Sequence, residues 1–196
     1  MRPNGSIRVR SARPDDARGI GGVYVDAWRE TYAGILPDRM LIGMSRRRQE
    51  RQWRFRIERC ARRGSNYDKV KVAVAPVNGV IAFSDSGPSR DPGLNYDAEV
   101  YTLYVHPNYL DFGVGGRLLA EMFRDLADAG AGSAIIWALA DNPYRHFYHA
   151  MGGSLAAERM SVHWGRRLRE VGYGWRDLTA ACAKMDRRAS TPESDE

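Results

Sequence analysis

Residues 113–116 read Gly-Val-Gly-Gly, and an amphipathic run follows at once. Three glycines in four positions allow a backbone to approach a ligand closely. The first N–H groups of a helix have no helical partner and point outward. Together with the helix dipole they make a site for an anion, phosphate above all. The spacing is not that of a dinucleotide fingerprint. The third glycine is out of place, and no acid follows ~20 residues on at the end of a second strand. The Gly-Lys-Ser/Thr of a P-loop is also missing. His146 and His149, three apart, could share a metal on one helix face. With His163 they still make no persuasive zinc set, because no third ligand is evident. The two cysteines, Cys60 and Cys182, are too few and too far apart for a disulfide framework or a cysteine-rich metal site. Their use suits a reducing, cytoplasmic compartment.

These groups need elements to hold them. Residues 6–11 alternate as a short strand. Pro14-Asp15-Asp16 opens a helix with proline early and acids in the first turn. Ala17, Ile20, Val23, Tyr24, Ala27 and Trp28 recur at three and four, which predicts a helix over 14–32. Gly34 and Pro37 end it and open a loop. Gln49, Trp53, Ile57 and Cys60 share a stripe that predicts a second helix over 45–63, stopped by Gly64. The period then changes to two. Val70–Ala75 and Val80–Ser84 read as strands around the hairpin signal Asn78-Gly79. Residues 86–95 form a polar, turn-rich loop, and Asp97–Val105 is a longer strand ended by His106-Pro107. A helix follows over 113–129, then a buried strand over 133–140. Asn142-Pro143 opens a short helix that ends near Met151-Gly152-Gly153. Strands over 154–163 and 168–178 flank a turn at Gly165. From Thr179 the chain is small and polar, then charged, so the expected division is a folded domain over 1–178 and a flexible tail over 179–196. The order is that of one mixed α/β (α+β) domain.

Composition sets outer limits. Apolar residues make 43% and charged residues 28% of the chain, a globular mix. No stretch approaches the ~18 apolar residues of a spanning helix. The first residues lack the apolar run of a secretory leader. Net charge is +6, and residues 46–63 carry nine Arg against Glu50 and Glu58. That run reads as the solvated face of a helix rather than a nucleic-acid footprint. Neither a nucleic acid nor a membrane is an expected partner.

The segment E-V-Y-T-L-Y-V-H-P-N-Y-L-D-F-G-V-G-G-R-L-L, starting at Glu99, resembles the acyl-CoA-binding motif of the GNAT superfamily of N-acetyltransferases. Val105, Pro107, Tyr109, Gly113, Val114, Gly115, Leu118 and Leu119 fall in its register. A-R-P-D-D-A near the start, then A-W-R-E-T-Y-A-G-I-L-P, is similar to one GNAT subgroup. D-N-P-Y-R-H-F-Y-H-A-M-G-G resembles the second family motif, so the likeness spans about residues 6–178. Four positions depart from the pattern. Leu110 stands where Gln or Arg is usual, Asp111 replaces a common glycine, Phe112 a frequent basic residue, and Gly153 an aromatic.

The resemblance implies a mostly antiparallel sheet of about seven strands with about four helices. The central strand would splay from its parallel neighbour to admit pantetheine. It implies acetyl-CoA as acyl donor and no metal. The cofactor contacts would be Leu103, Tyr104, Val105, Leu110, Asp111, Phe112, Gly113, Val114, Gly115, Gly116, Arg117, Asn142 and Tyr148. The amine would attack the thioester directly in a ternary complex, so no nucleophilic Cys or Ser is needed. Tyr148 is then the candidate acid near the sulfur, and Glu99 the candidate base. Glu99, Tyr101, Leu103 and Val105 share a strand face unless a bulge intervenes. His106 reads as a surface residue. Trp28, Tyr32, Ile35 and Leu36 would wall the acceptor cleft. The expected activity is N-acetylation of a small-molecule or protein amine. The departures leave open an alternative, a non-catalytic acyl-CoA-binding sensor or interaction domain. A homodimer is also left open.

Overall fold

Apolar residues at helical spacing bury one side of each long helix, and period-two runs become strands. The structure, a computed structural model, describes residues 7–163 and 165–190. Seven strands form one sheet: β1 (Arg8–Ser11), β2 (Lys69–Ala75), β3 (Gly79–Pro88), β4 (Ala98–Val105), β5 (Ala134–Leu139), β6 (Ser154–His163) and β7 (Arg166–Trp175). Their order across the sheet is β1-β2-β3-β4-β5-β7-β6. Among the described residues only β4 and β5 run parallel; the other neighbours are antiparallel. The helices are α1 (Ala17–Thr31), α2 (Asp38–Ile42), α3 (Arg46–Arg63), α4 (Val114–Asp128), α5 (His146–Ala150) and α6 (Leu178–Ser190).

Alternation along the strands divides the core in two. Val72 and Phe83 pack with Ile20, Val23, Trp53 and Ile57 of α1 and α3. Ala73, Ile81 and Ala82 face the other way, onto Val114 and Leu118 of α4. The Trp53 and Phe83 rings meet edge-on at 4.7 Å, and burial of such side chains contributes about 1.5–3 kcal/mol each. Ser45 caps α3 by accepting the Arg48 N–H at 3.3 Å. Lys71, only 5% exposed, reaches from β2 to Asp125 of α4 at 3.0 Å and so ties α4 to the sheet. An unpaired buried ammonium would be costly, which makes this tie specific.

The expected strands and long helices are present, though β3 runs on to Pro88, into the loop expected over 86–95, and the strand expected over 168–178 ends at Trp175. The first helix begins as a 3-10 turn over Pro14–Asp16. A short helix, α2, occupies part of the loop after α1. The expected tail is helical to Ser190: Leu178, Ala181, Cys182 and Met185 of α6 are buried in the cluster that holds Phe123 and Trp175. Apolar residues at three and four make that face, which small and polar neighbours obscure in the sequence. Ser6 and residues 191–196 lie outside the described residues. Among the described residues no helix is long and apolar enough to cross a membrane.

Candidate active site

The site begins where two parallel strands part. β4 pairs with β5 only from Ala98–Ala134 to Val100–Ile136. β7 holds the other edge of β5 along its whole length, from Ala134–Trp175 to Leu139–Glu170. Beyond Val100, β4 therefore diverges while β5 stays in place. A bulge marks the divergence. Thr102 pairs with Asp85 of β3, and Val100 pairs with Ser86, so Tyr101 is the extra residue. Bulges re-aim side chains, and this one reverses the alternation. Ala98 and Val100 face the α4 side, and so do Leu103 and Val105. Glu99 and Tyr101 thus do not share a face with Leu103 and Val105.

Beside the gap lies a cavity of about 640 Å³, lined by residues from both sides of the sheet. On the α4 side it is lined by Val105, Leu110, Asp111, Gly113, Val114, Gly115, Gly116, Asn142 and Tyr148. Leu103 and Tyr104 form its β4 wall, and Trp28 and Tyr32 line its α1 side. Gly113 enters α4 with φ +70°, a left-handed conformation that suits glycine. Asp111, two residues earlier, has φ +64°. A Cβ on Gly115 would lie 3.4 Å from the Phe147 ring and 3.5 Å from Val105. The fold itself thus tolerates alanine there, and Gly115, Phe147 and Val105 all line the cavity. These features are ones with which the backbone at the N-terminus of α4 could hold an anion. A basic residue is absent from the loop sequence Leu110–Gly116, so the N–H groups supply its positive potential.

Tyr148 of α5 is 8% exposed and packs at 5.6 Å from the Tyr173 ring. Burial pushes its phenol well above the usual tyrosine range. Asn142 caps the turn before α5 by accepting the Tyr144 N–H at 2.8 Å. Its Nδ2 donates to the Tyr32 hydroxyl at 3.3 Å, which links the loop after β5 to the end of α1. Burial raises the Tyr32 phenol to about 12; the Asn142 bond opposes the rise, and the Glu170 charge adds to it.

Five expected site residues are not among the cavity lining. Glu99 is fully buried, and its carboxylate accepts from the Arg90 backbone N–H at 3.0 Å and from the Arg90 guanidinium. Its role here is to hold the loop before β4, because burial without that partner would be costly. Phe112 is 43% exposed. Arg117 turns away and donates to the Ile7 carbonyl at 2.9 Å. Leu36 is a core residue and Ile35 packs beside it, around Trp28 and Leu139. His106, expected at the surface, is half-buried, with Nε2 3.6 Å from Asp26.

The sequence reading missed the opposite wall on the α1 side. Thr102, Trp137, Arg159, Ser161 and Glu170 line it, facing Tyr24. Arg159 stacks 3.9 Å over the Trp137 ring and pairs with Glu170 at 2.7 Å. These residues come from β4, β5, β6 and β7, so no local spacing joins them. Among the described residues no group of three or more His, Cys, Asp or Glu could hold a metal ion. The side chain of His163 lies outside the described residues.

Known proteins resemble this chain in sequence and in fold. The family described as FR47-like protein matches residues 94–162, the span from the approach to β4 through most of β6. An uncharacterized N-acetyltransferase, YuaI of Bacillus subtilis (strain 168), is 33% identical over 181 residues, covering 92% of this chain and 99% of that protein. Among solved structures, the PaiA N-acetyltransferase of Thermoplasma acidophilum in complex with coenzyme A is similar in fold. It shows 20% identity and a TM-score of 0.65, over 87% of this chain and 100% of that one. The ribosomal-protein-alanine N-acetyltransferase of Brucella melitensis shows 22% identity and a TM-score of 0.65, over 86% of this chain and 98% of that one.

Proposed function

This chain belongs to the GNAT superfamily of N-acetyltransferases, and from that premise we propose that it transfers an acetyl group from acetyl-CoA to a primary amine by direct attack in a ternary complex. The observation that carries the reading is the parting of β4 from β5 beside the glycine-led N-terminus of α4. The unpaired β4 edge from Tyr101 to Val105 lines the cavity and offers backbone groups to the pantetheine arm. The N–H groups at Gly113–Gly116 would hold the pyrophosphate. The residues fit the cofactor: glycines at the start of α4, a free strand edge and apolar side chains such as Leu103, Val105 and Val114 between them. The two free cysteines are compatible with a reducing, cytoplasmic setting.

Acetyl-CoA supplies an activated thioester. Backbone N–H groups of the β4 edge polarise its carbonyl. Tyr148 lines the cavity and keeps its proton at neutral pH, since burial raises its phenol. A thiol titrates near ~8.5, so complete transfer from this phenol to the leaving sulfur runs uphill. Tyr148 therefore acts by donating a hydrogen bond to the departing thiolate. The acceptor enters from the α1 side, between Trp28, Tyr32 and the wall of Trp137 and Glu170. It is a small-molecule or protein amine.

Calorimetric titration of the CoA-free protein with acetyl-CoA tests the first half of this reading. The expected result is one-to-one micromolar binding that weakens in Gly115→Ala, a change the fold itself accommodates. Absence of binding up to millimolar acetyl-CoA would sink the cofactor assignment. A primary-amine panel, read by release of free thiol, tests the second half.

A further inference from the structure

The cavity wall carries a hydroxyl whose own partner is a buried carboxylate. Thr102 lines the cavity on the α1 side, and its Oγ1 donates to Oδ1 of Asp85 at 2.5 Å. Asp85 lies on β3, directly opposite Thr102 in the register, and is 5% exposed. The bulge at Tyr101 makes this pairing, because without the extra residue the register would set Tyr101 against Asp85. The second carboxylate oxygen, Oδ2, accepts from Arg56 Nε at 3.2 Å. Arg56 is itself fixed by Asp68 at 2.6 Å and by the Ser86 carbonyl at 2.6 Å. Asp85 thus has one oxygen held by a cation and the other joined to the cavity through a single hydroxyl.

We propose that Thr102 takes the proton of the acceptor ammonium and passes its own hydroxyl proton to Asp85, which makes Thr102–Asp85 the deprotonation route. This inference rests on the reading of the cavity as an amine acetylation site. Thr102 touches the acceptor; Asp85 is a positioning and proton-storing residue that acts through it. The ammonium N–H bond breaks as the Thr102 Oγ1–H bond forms, and the Thr102 proton moves to Asp85 Oδ1. The freed amine pair attacks the thioester carbon, the C–N bond forms and the C–S bond breaks. The second nitrogen proton goes to the departing thiolate. After product release the Asp85 proton returns through Thr102 to water. Ammonium and thioester have then become amide, thiol and one proton.

The surroundings of Asp85 suit that task. Burial pushes its carboxyl up, while the Thr102 hydroxyl, Arg56 and Arg90 pull it down. The groups that face it are Arg56 and Cys60 from α3, Thr102 from β4, Arg90 from the loop before β4 and Tyr24 from α1. A carboxylate between these influences takes up and releases a proton more readily than one pinned by cations alone. Glu99, the acid expected from the sequence, has both oxygens engaged by Arg90 and does not reach the cavity lining.

The test uses the full chain, acetyl-CoA and primary amines of graded basicity, from a strongly basic alkylamine to trifluoroethylamine. Thr102→Val is expected to bind acetyl-CoA as the parent does. It should lower kcat/KM for the basic amine by about 100-fold, the usual scale of general-base assistance. Its acid limb should move to higher pH. The loss should shrink towards nothing for the amine that is already neutral at the assay pH. Thr102→Ser keeps the hydroxyl and should keep most of the rate. Asp85→Asn should reproduce the dependence on amine basicity, which makes the test independent of how well Thr102→Val folds. A merely structural pair would instead slow all amines alike, and that result overturns the proposal, as does a Thr102→Val enzyme with the parent's rate. If the parent itself binds no acetyl-CoA, the underlying reading fails and the relay falls with it.

Discussion

Trp175 occupies the space above Gly153. A Cβ built on Gly153 would lie 2.7 Å from Cζ2 of the Trp175 indole and 3.0 Å from the Tyr148 carbonyl oxygen. Trp175 is anchored there, its Nε1 donating to the Met151 carbonyl at 3.1 Å and its ring packing edge-on to Phe123 at 4.9 Å. The position where the GNAT pattern carries an aromatic is a glycine here because an aromatic from β7 fills that volume. The turn that presents Tyr148 is supported either way. Gly153→Ala should therefore destabilise the protein by about 1–3 kcal/mol, the range for overpacking a filled site. Thermal melts of Gly153→Ala alone and combined with Trp175→Phe check this, and the smaller ring should restore part of the loss.

The pairing of Glu99 with Arg90 leads to a second expectation. Glu99→Gln removes the charge from a fully buried group but keeps its shape. Arg90 is half exposed, so water offsets part of the loss. The expected cost is about 1–3 kcal/mol of stability. The amine turnover should stay close to the parent's at a temperature where both are folded. Steady-state kinetics set beside a denaturation curve decides it, since a catalytic base would show the opposite pattern.

Asp111 places a carboxylate in the loop proposed above to hold the pyrophosphate. Two like charges ~4 Å apart in water repel by about 1 kcal/mol. Asp111→Asn keeps a side chain that tolerates φ +64° and removes the charge. Acetyl-CoA should bind up to about fivefold more tightly, with the gain narrowing as salt is added. Titrations at two ionic strengths read both effects.

Tyr148→Phe should lower kcat by about tenfold to hundredfold and leave acetyl-CoA affinity nearly unchanged. A matching loss of affinity in that titration would instead make the hydroxyl a binding contact.

Burial raises the phenols of Tyr24, Tyr32, Tyr104 and Tyr148 in the folded protein, Tyr32 to about 12. The unfolded chain releases those protons near pH ~10. Above that pH the folded state binds more protons than the unfolded one, so stability falls as pH rises. Below it these groups leave stability unchanged with pH. Melting temperatures from pH 8 to 11.5, beside a tyrosinate absorbance titration, should show the decline and a late-ionising fraction of the tyrosines.

Most elements and the glycine-led start of α4 were legible in the sequence because they rest on local causes. Helical spacing in Ala17–Trp28 and Val114–Leu126, the turn at Asn78-Gly79 and the glycines before α4 each act within a few residues. The motif resemblance extended this to Tyr148 and Asn142, which both line the cavity. The face of Glu99 was not legible, because a bulge is a property of two strands in register. Nor was the helical face of α6, whose apolar residues make sense only against Phe123 and Trp175.

By itself, then, the sequence determined the order of the seven strands and of α1, α3, α4 and α5, the open backbone at Gly113–Gly116 and the family. The tertiary structure decided which acids face the cavity. Thr102 and Asp85 are 17 residues apart and meet only through strand pairing. Glu170 and Trp137 enter the same wall from β7 and β5. Side-chain chemistry is written residue by residue, whereas burial and partner choice depend on register between distant strands. A single extra residue at Tyr101 moves Thr102 opposite Asp85 and turns the chain's alternation over.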